Sequence, residues 1–233
     1  MIPTVDIIEE LVEGFNPTTQ ITGVVDNGGG SYTITVCNTL NIREKSPFKV
    51  DGNSYTAKSV NTKTKEITYT TVVAPSVNDV VEGSVPFYFH GTPMATGSEI
   101  TRILNSVNKL PMIYLLEIIT DIKDNTPDSI IDRRSNVLLF FLDEANFGDW
   151  DTDQHYSEAI VPMMNYAELF VKYLENNSNI GVIDSYELTY HAKFGLNIKT
   201  NGGHVQNLFP DKLSGVQLSI TLPIRKGLIC ENC

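Results

Sequence analysis

Three cysteines in 233 residues, Cys37, Cys230 and Cys233, are too few for a disulfide framework and point to a product with reduced thiols. Basic residues are also scarce. Seventeen Lys and Arg stand against 28 Asp and Glu, a net charge of −11. That balance argues against a protein that wraps nucleic acid with a basic surface. It allows an acidic wall past which DNA slides without sticking. No apolar run reaches the roughly 18 residues needed to span a bilayer. The start, MIPTVDIIEELVEGF, is acidic and has neither the basic opening nor the small-residue cleavage site of a signal peptide, so an intracellular product is expected. GxSxG, HExxH, GxGxxG and the phosphate-loop pattern GxxxxGK followed by Ser or Thr are all missing. What remains has an ordinary globular composition, 41% hydrophobic and 19% charged, with length enough for one large or two small domains.

The best-patterned stretch covers residues 157–224. Ile160, Met164, Ala167, Phe170, Val171 and Leu174 recur at helical spacing, with Glu158, Asn165, Glu168, Lys172 and Glu175 around the rest of the circumference. Asn176, Asn177, Ser178 and Asn179 stop that helix, because their side chains compete for backbone hydrogen bonds. Two strands are expected after it, over 185–198 and 216–222. In the second, Val216, Leu218, Ile220 and Leu222 alternate with Gln217, Ser219 and Thr221, which gives the helix a half-apolar sheet to lie on.

Near the start, Ile7, Ile8, Leu11, Val12 and Phe15 predict a short helix over 5–15, with Thr4 as its cap. So short a helix is marginal alone and must dock on a larger body. Between residues 21 and 91 short strands alternate with polar turns, among them Asn27-Gly28 and Asp51-Gly52, and SVPFYFH (84–90) reads as the last strand. The expectation is a small antiparallel barrel of OB or SH3 type. Barrels of that kind often read oligonucleotides with exposed aromatics, for which Tyr32, Phe48, Tyr55, Tyr69, Phe87, Tyr88 and Phe89 are available.

GTPMATG (91–97) is the strongest internal boundary. A helix is expected over 98–109, then two strands, MIYLLEIITDI (112–122) and NVLLFFLDEA (136–145), joined by a polar loop that carries Arg133 and Arg134. The whole reads as α+β: a mostly antiparallel four-stranded sheet with packed helices, plus a small N-terminal β-barrel that is an insertion if the first helix joins the sheet layer. The domains are then an N-terminal helix (1–20), the barrel (21–91), the α+β unit (92–224) and a C-terminal extension (225–233).

Chemistry is thin. Asp149, Asp151 and Asp153 have the first three spacings of a calcium loop, but Gln154 stands where its glycine belongs and Ile160 where its glutamate belongs, so a solvated loop is expected and no metal site. Trp150, the single tryptophan, suits an anchor in a core or a subunit interface. His90, His155, His191 and His204 share no spacing. Cys230 and Cys233 form one CxxC without a second pair to complete a zinc site. No catalytic residue and no cofactor is assigned. Two rival classes are a barrel that binds an oligonucleotide or glycan, and an enzyme in which the acid-rich loop and His155 are the first suspects.

IVPMMNYAELFVKYL, then YELTYHAKFG, then LFPDKLSGVQLSITLPI, with its turn Asp211, Leu213, Ser214, Gly215 and Val216, resembles the tail-terminator and tail-completion (neck) proteins of tailed bacteriophages. The asparagine-rich character resembles structural proteins of gut-bacterial phages, including the crAss-like group. The resemblance covers residues 98–224, and the barrel is a departure from it. It implies a virion protein that closes into a ring of six or twelve copies, joins the portal or an adjacent ring, and continues the channel through which genome DNA passes without specific binding. No membrane partner is implied. Interface candidates are Arg133 and Arg134 reaching an acidic neighbour, Trp150 with Asp149 and Asp151 as an anchor ringed by acids, and Arg225 and Lys226 in an extension lying across another ring.

Overall fold

A computed structural model describes residues 2–40, 42–83, 86–92, 110–126, 128–145, 148–194, 198–199, 205–206 and 212–226. The expected helix over 98–109, most of the 91–97 boundary, Asp211, His204, Cys230 and Cys233 lie outside these residues. Among the described residues no helix is long and apolar enough to cross a membrane.

The chain is α+β, and six strands close an antiparallel barrel: β1 (Thr18–Asp26), β2 (Ser31–Val36), β3 (Pro47–Val50), β4 (Asn53–Asn61), β5 (Glu66–Thr70) and β6 (Val80–Glu82), in the order β1-β2-β5-β4-β3-β6. Alternation drives the closure. Ile21, Ile34, Val36, Phe48, Val50, Ile67, Tyr69 and Val81 point inward and are buried, with polar neighbours between them. Asp51 (φ 46°) and Gly52 (φ 77°) both take left-handed geometry in the two-residue β3–β4 turn, which matches the twist of the paired strands.

The second sheet overturns the four-stranded expectation. It has five strands in the order β10-β13-β9-β8-β7, made by β7 (Phe87–Gly91), β8 (Met112–Lys123), β9 (Ile131–Glu144), β10 (Tyr186–Phe194) and β13 (Leu213–Arg225). The pair β11 (Ile198–Lys199) and β12 (Val205–Gln206) is separate. The fifth strand is the PFYFH segment expected to end the barrel. It pairs parallel with β8, Phe87 against Met112 through Gly91 against Leu116. Pairing of this kind is set by a crossover twenty residues long, a distance over which local pattern carries no information.

Two helices lie on one face of this sheet. α1 (Thr4–Glu13) contributes Ile7, Ile8, Leu11 and Val12, followed by Phe15. α3 (Val161–Glu175) contributes Met163, Tyr166, Ala167, Phe170, Val171 and Leu174. They cover Ile113 and Leu115 of β8, Val137, Leu139 and Phe141 of β9, and Val216, Leu218, Ile220 and Leu222 of β13. Met163 replaces Met164 in the buried stripe, and Met164 is only partly buried. Because α1 joins this core, the barrel sits as an insertion between α1 and β7, and its two ends meet where the Gly83 N–H donates to the Pro17 carbonyl, 3.1 Å.

Three local expectations are corrected. Pro3, not Thr4, precedes the first helical turn, and the Thr4 hydroxyl donates to Asp121 instead, 3.0 Å. The loop expected over 123–135 is shorter, since β8 runs to Lys123 and β9 starts at Ile131, so Arg133 and Arg134 are strand residues that pair in register with Lys123 and Ile122. Arg225 and Lys226 belong to no free extension. Arg225 closes β13 and its N–H donates to the Asn179 carbonyl, 3.0 Å, while the Lys226 N–H donates to Ile130.

Candidate functional site

Where the barrel meets the sheet there is a cleft of about 690 Å³. Its barrel wall is the segment after β2. Arg43 is fixed there by Ser46, whose hydroxyl accepts from the Arg43 N–H and donates to the Arg43 carbonyl, both 2.8 Å. The opposite wall is the end of β9, where Asp143 and Glu144 lie in register with Ser214 and Leu213 of β13 and the Ala145 N–H donates to Lys212 at 2.8 Å. Arg43 crosses the gap to an ion pair with Asp143, whose side chain is 8% exposed. Burial lowers the pKa of the guanidinium, and Glu144 opposes that shift. Pairing a nearly buried carboxylate in this way avoids the large penalty of an isolated buried charge.

The third wall comes from the run that leads into α3. Asp151 caps α2 (Thr152–His155), accepting from the Gln154 N–H at 2.8 Å while the Gln154 side chain accepts from the Asp151 N–H at 3.1 Å. A π turn (Tyr156–Ile160) follows, in which the Val161 N–H bonds back five residues to Tyr156. Its cause is Pro162, which has no N–H to offer the Glu158 carbonyl, so the ordinary helical ladder cannot pass this point. The wider turn carries Glu158 to the cleft, where it accepts a hydrogen bond from the Thr62 hydroxyl in the β4–β5 turn. Arg43–Asp143 and Thr62–Glu158 are thus two polar fastenings between barrel and base. Trp150 lines the same cleft.

His155 stands beside Trp150, ring centroids 6.2 Å apart. Its Nε2 lies 2.8 Å from Ser214 Oγ, and Ser214 donates its one proton to the Ala192 carbonyl at 2.6 Å, so the imidazole is the donor to serine. Burial lowers the His155 pKa, Lys193 adds to the effect, and a hydrogen bond involving the Ala192 backbone opposes it. A serine and histidine at this distance resemble a nucleophile and its base. Here the serine is fully buried and its proton is directed at a carbonyl, so it cannot attack a substrate. His90 instead contacts Glu117, 2.5 Å, and His191 contacts Gln217, 3.2 Å, so these histidines do not converge. Among the described residues no three His, Cys, Asp or Glu side chains gather as metal ligands would.

Of the seven interface candidates, only Trp150 lines the cleft, with Asp149 and Asp151 as its exposed sequence neighbours. Arg133 is 2% exposed and faces inward. Its Nε donates to Thr4 at 3.3 Å, Nη1 to Asp132 at 3.0 Å and Nη2 to the Ile2 carbonyl at 2.6 Å, so it ties the start of the chain to β9 instead of reaching a neighbour. Arg134 is half exposed, 3.9 Å from Asp184. Phe48 and Tyr69 pack edge to face inside the barrel, ring centroids 5.1 Å apart, and are lost to any base-stacking surface. Arg43, Thr62 and Lys212 went unnoticed in the sequence, while Asp143, Glu144 and Glu158 entered it only as parts of an acid-rich stretch and, for Glu158, a wet helix face. The acids ending the apolar run LLFFLDE were a usable signal, whereas nothing local links Arg43 to a residue one hundred positions away.

Comparison of the chain with protein-family models, with curated proteins and with solved structures gives no match in any of the three.

Proposed function

We propose that this chain is a structural subunit of a tailed-phage neck or tail. In this reading copies of it close into a ring of six or twelve, which joins the portal or an adjacent ring and continues the DNA channel. The observation that carries the reading is the pair of unlike edges that the five-stranded sheet has among the described residues. One edge is β10, with Tyr186 and Tyr190 at 40% and 49% exposure, and the other is β7, parallel to its neighbour and bearing Phe87. A closed ring needs two different surfaces on each subunit, one to meet the other on the next copy, and edge strands are ready-made templates for such contacts.

Other features support it. Ile118, Ile122 and Ile130 are exposed along the far end of the β8–β9 hairpin, and Val72, Val73 and Val77 on the β5–β6 loop of the barrel. Apolar groups grouped in this way suit protein contacts. The net charge of −11 suits a passage through which DNA slides.

Light scattering and negative-stain imaging of the purified chain, alone and mixed with portal-bearing particles, test the reading. Closed annuli are expected. A strict monomer under all these conditions would falsify it.

A further inference from the structure

We infer that the cleft between barrel and base is a docking site for a cationic side chain, an arginine or lysine presented by a segment of a partner protein. The cleft has the size of a ligand site, within the roughly 300–1,000 Å³ such sites span. Its walls bear four carboxylates, Glu44, Asp143, Glu144 and Glu158, against two cations, Arg43 and Lys212. Asp143 is already matched by Arg43 and Glu44 lies 3.5 Å from Lys45, so the surplus lies with Glu144 and Glu158, opposed among the described cleft residues by Lys212 alone. Trp150 adds an aromatic face in the same space, and a cation is the ligand that gains from carboxylates and an indole together. Arginine fits better than lysine, because its planar fork can bond a carboxylate through two N–H groups while stacking on the ring. The same charge balance repels phosphates and nucleic acid.

The site is also held open by construction. The π turn forced by Pro162 sets Glu158, and the Arg43–Asp143 and Thr62–Glu158 contacts hold the two walls at a fixed separation. A preformed cleft of this kind binds without first ordering its own walls. The inference is independent of ring closure, since a single subunit contains every wall.

Trp150 is the only tryptophan, so its emission reports on this cleft directly. The test titrates the full chain, at a concentration where it is monomeric, with tri-arginine, tri-lysine, tri-glutamate and a neutral oligosaccharide. A saturable change is expected with tri-arginine, weaker with tri-lysine and diminished by salt. The variant carrying Glu144→Gln and Glu158→Gln should weaken it about tenfold or more while circular dichroism is unchanged. Should Glu158→Gln loosen the barrel, Glu144→Gln alone reads the charge effect. No saturable response to tri-arginine, an equal response in the charge variants, or binding of tri-glutamate or the oligosaccharide in its place would each overturn the inference. Annulus formation is measured separately, so failure here leaves the ring reading standing and the reverse also holds.

Discussion

Arg133 shows how much one side chain can hold together. Its guanidinium joins the first residues of the chain, the start of α1 and the polar half of β9, and Asp121 lies 3.6 Å from its Nε while accepting a 2.5 Å bond from Ser135. Arg133→Met should destabilise the fold by about 2–3 kcal/mol, below the full range for breaking a buried pair because Asp121 keeps some contact with water. Urea denaturation should show a lower midpoint at unchanged slope, and Arg133→Lys should not restore it, since an ammonium cannot replace the fork. Two titrations belong at this scale. In Asp124 the bonds from Thr126, side chain first and then backbone, and from Ser129 hold the carboxyl down to about 2. Its contribution is therefore present above the ordinary value near 3.8 and lost as pH falls toward 2. His155 is depressed below its ordinary value near 6.5, so the unfolded chain takes up the proton first and stability falls as pH drops below 6.5. NMR titration of both groups checks the directions, and a His155 value above 6.5 would contradict the effect of desolvation and Lys193 on that imidazole.

Whole elements depend on a few close approaches. Phe15, just beyond α1, sits among Tyr166, Phe170 and Tyr173 with ring centroids 5.1 to 5.6 Å away. Phe15→Ala should cost about 3–5 kcal/mol and release α1, measured as lost amide protection over residues 4–13. In β13, a Cβ on Gly215 would overlap the Phe141 carbonyl of β9. Gly215→Ala should therefore cost about 3 kcal/mol or more, or leave the chain unfolded, by thermal melting. The legibility of these elements follows their chemistry. β13 was visible because buried and wet residues alternate along it, and α3 because its apolar stripe repeats every three or four residues. The first part of β9, IDRRS, looked like loop because a strand with polar groups on both faces has no apolar period to read. Arg133 is buried there by its partners, not by its own hydrophobicity.

For the molecule as a whole, the meeting of Pro17 and Gly83 makes the barrel removable in principle. Replacing residues 18–82 by a short glycine-containing link should leave a base that melts cooperatively. A molten or aggregated product would mean that the barrel is integral to the core. Trp150→Ala should block assembly and leave the subunit folded, checked by annulus counts beside circular dichroism. Normal rings from that variant would remove the 148–156 segment from the contact.

Local pattern alone settled that the chain is α+β, that a closed run of short strands follows the first helix, and that an amphipathic helix lies on an alternating strand, because burial imposes periods of 3.6 and 2 on neighbouring residues. Only the tertiary structure assigned PFYFH to the second sheet, turned the two arginines into strand residues and brought Arg43, Asp143, Trp150 and Glu158 to one cleft. The physical reason is range. Parallel pairing, a buried ion pair and a cleft between two bodies are made by residues tens to a hundred positions apart, whose encounter depends on how the whole chain packs.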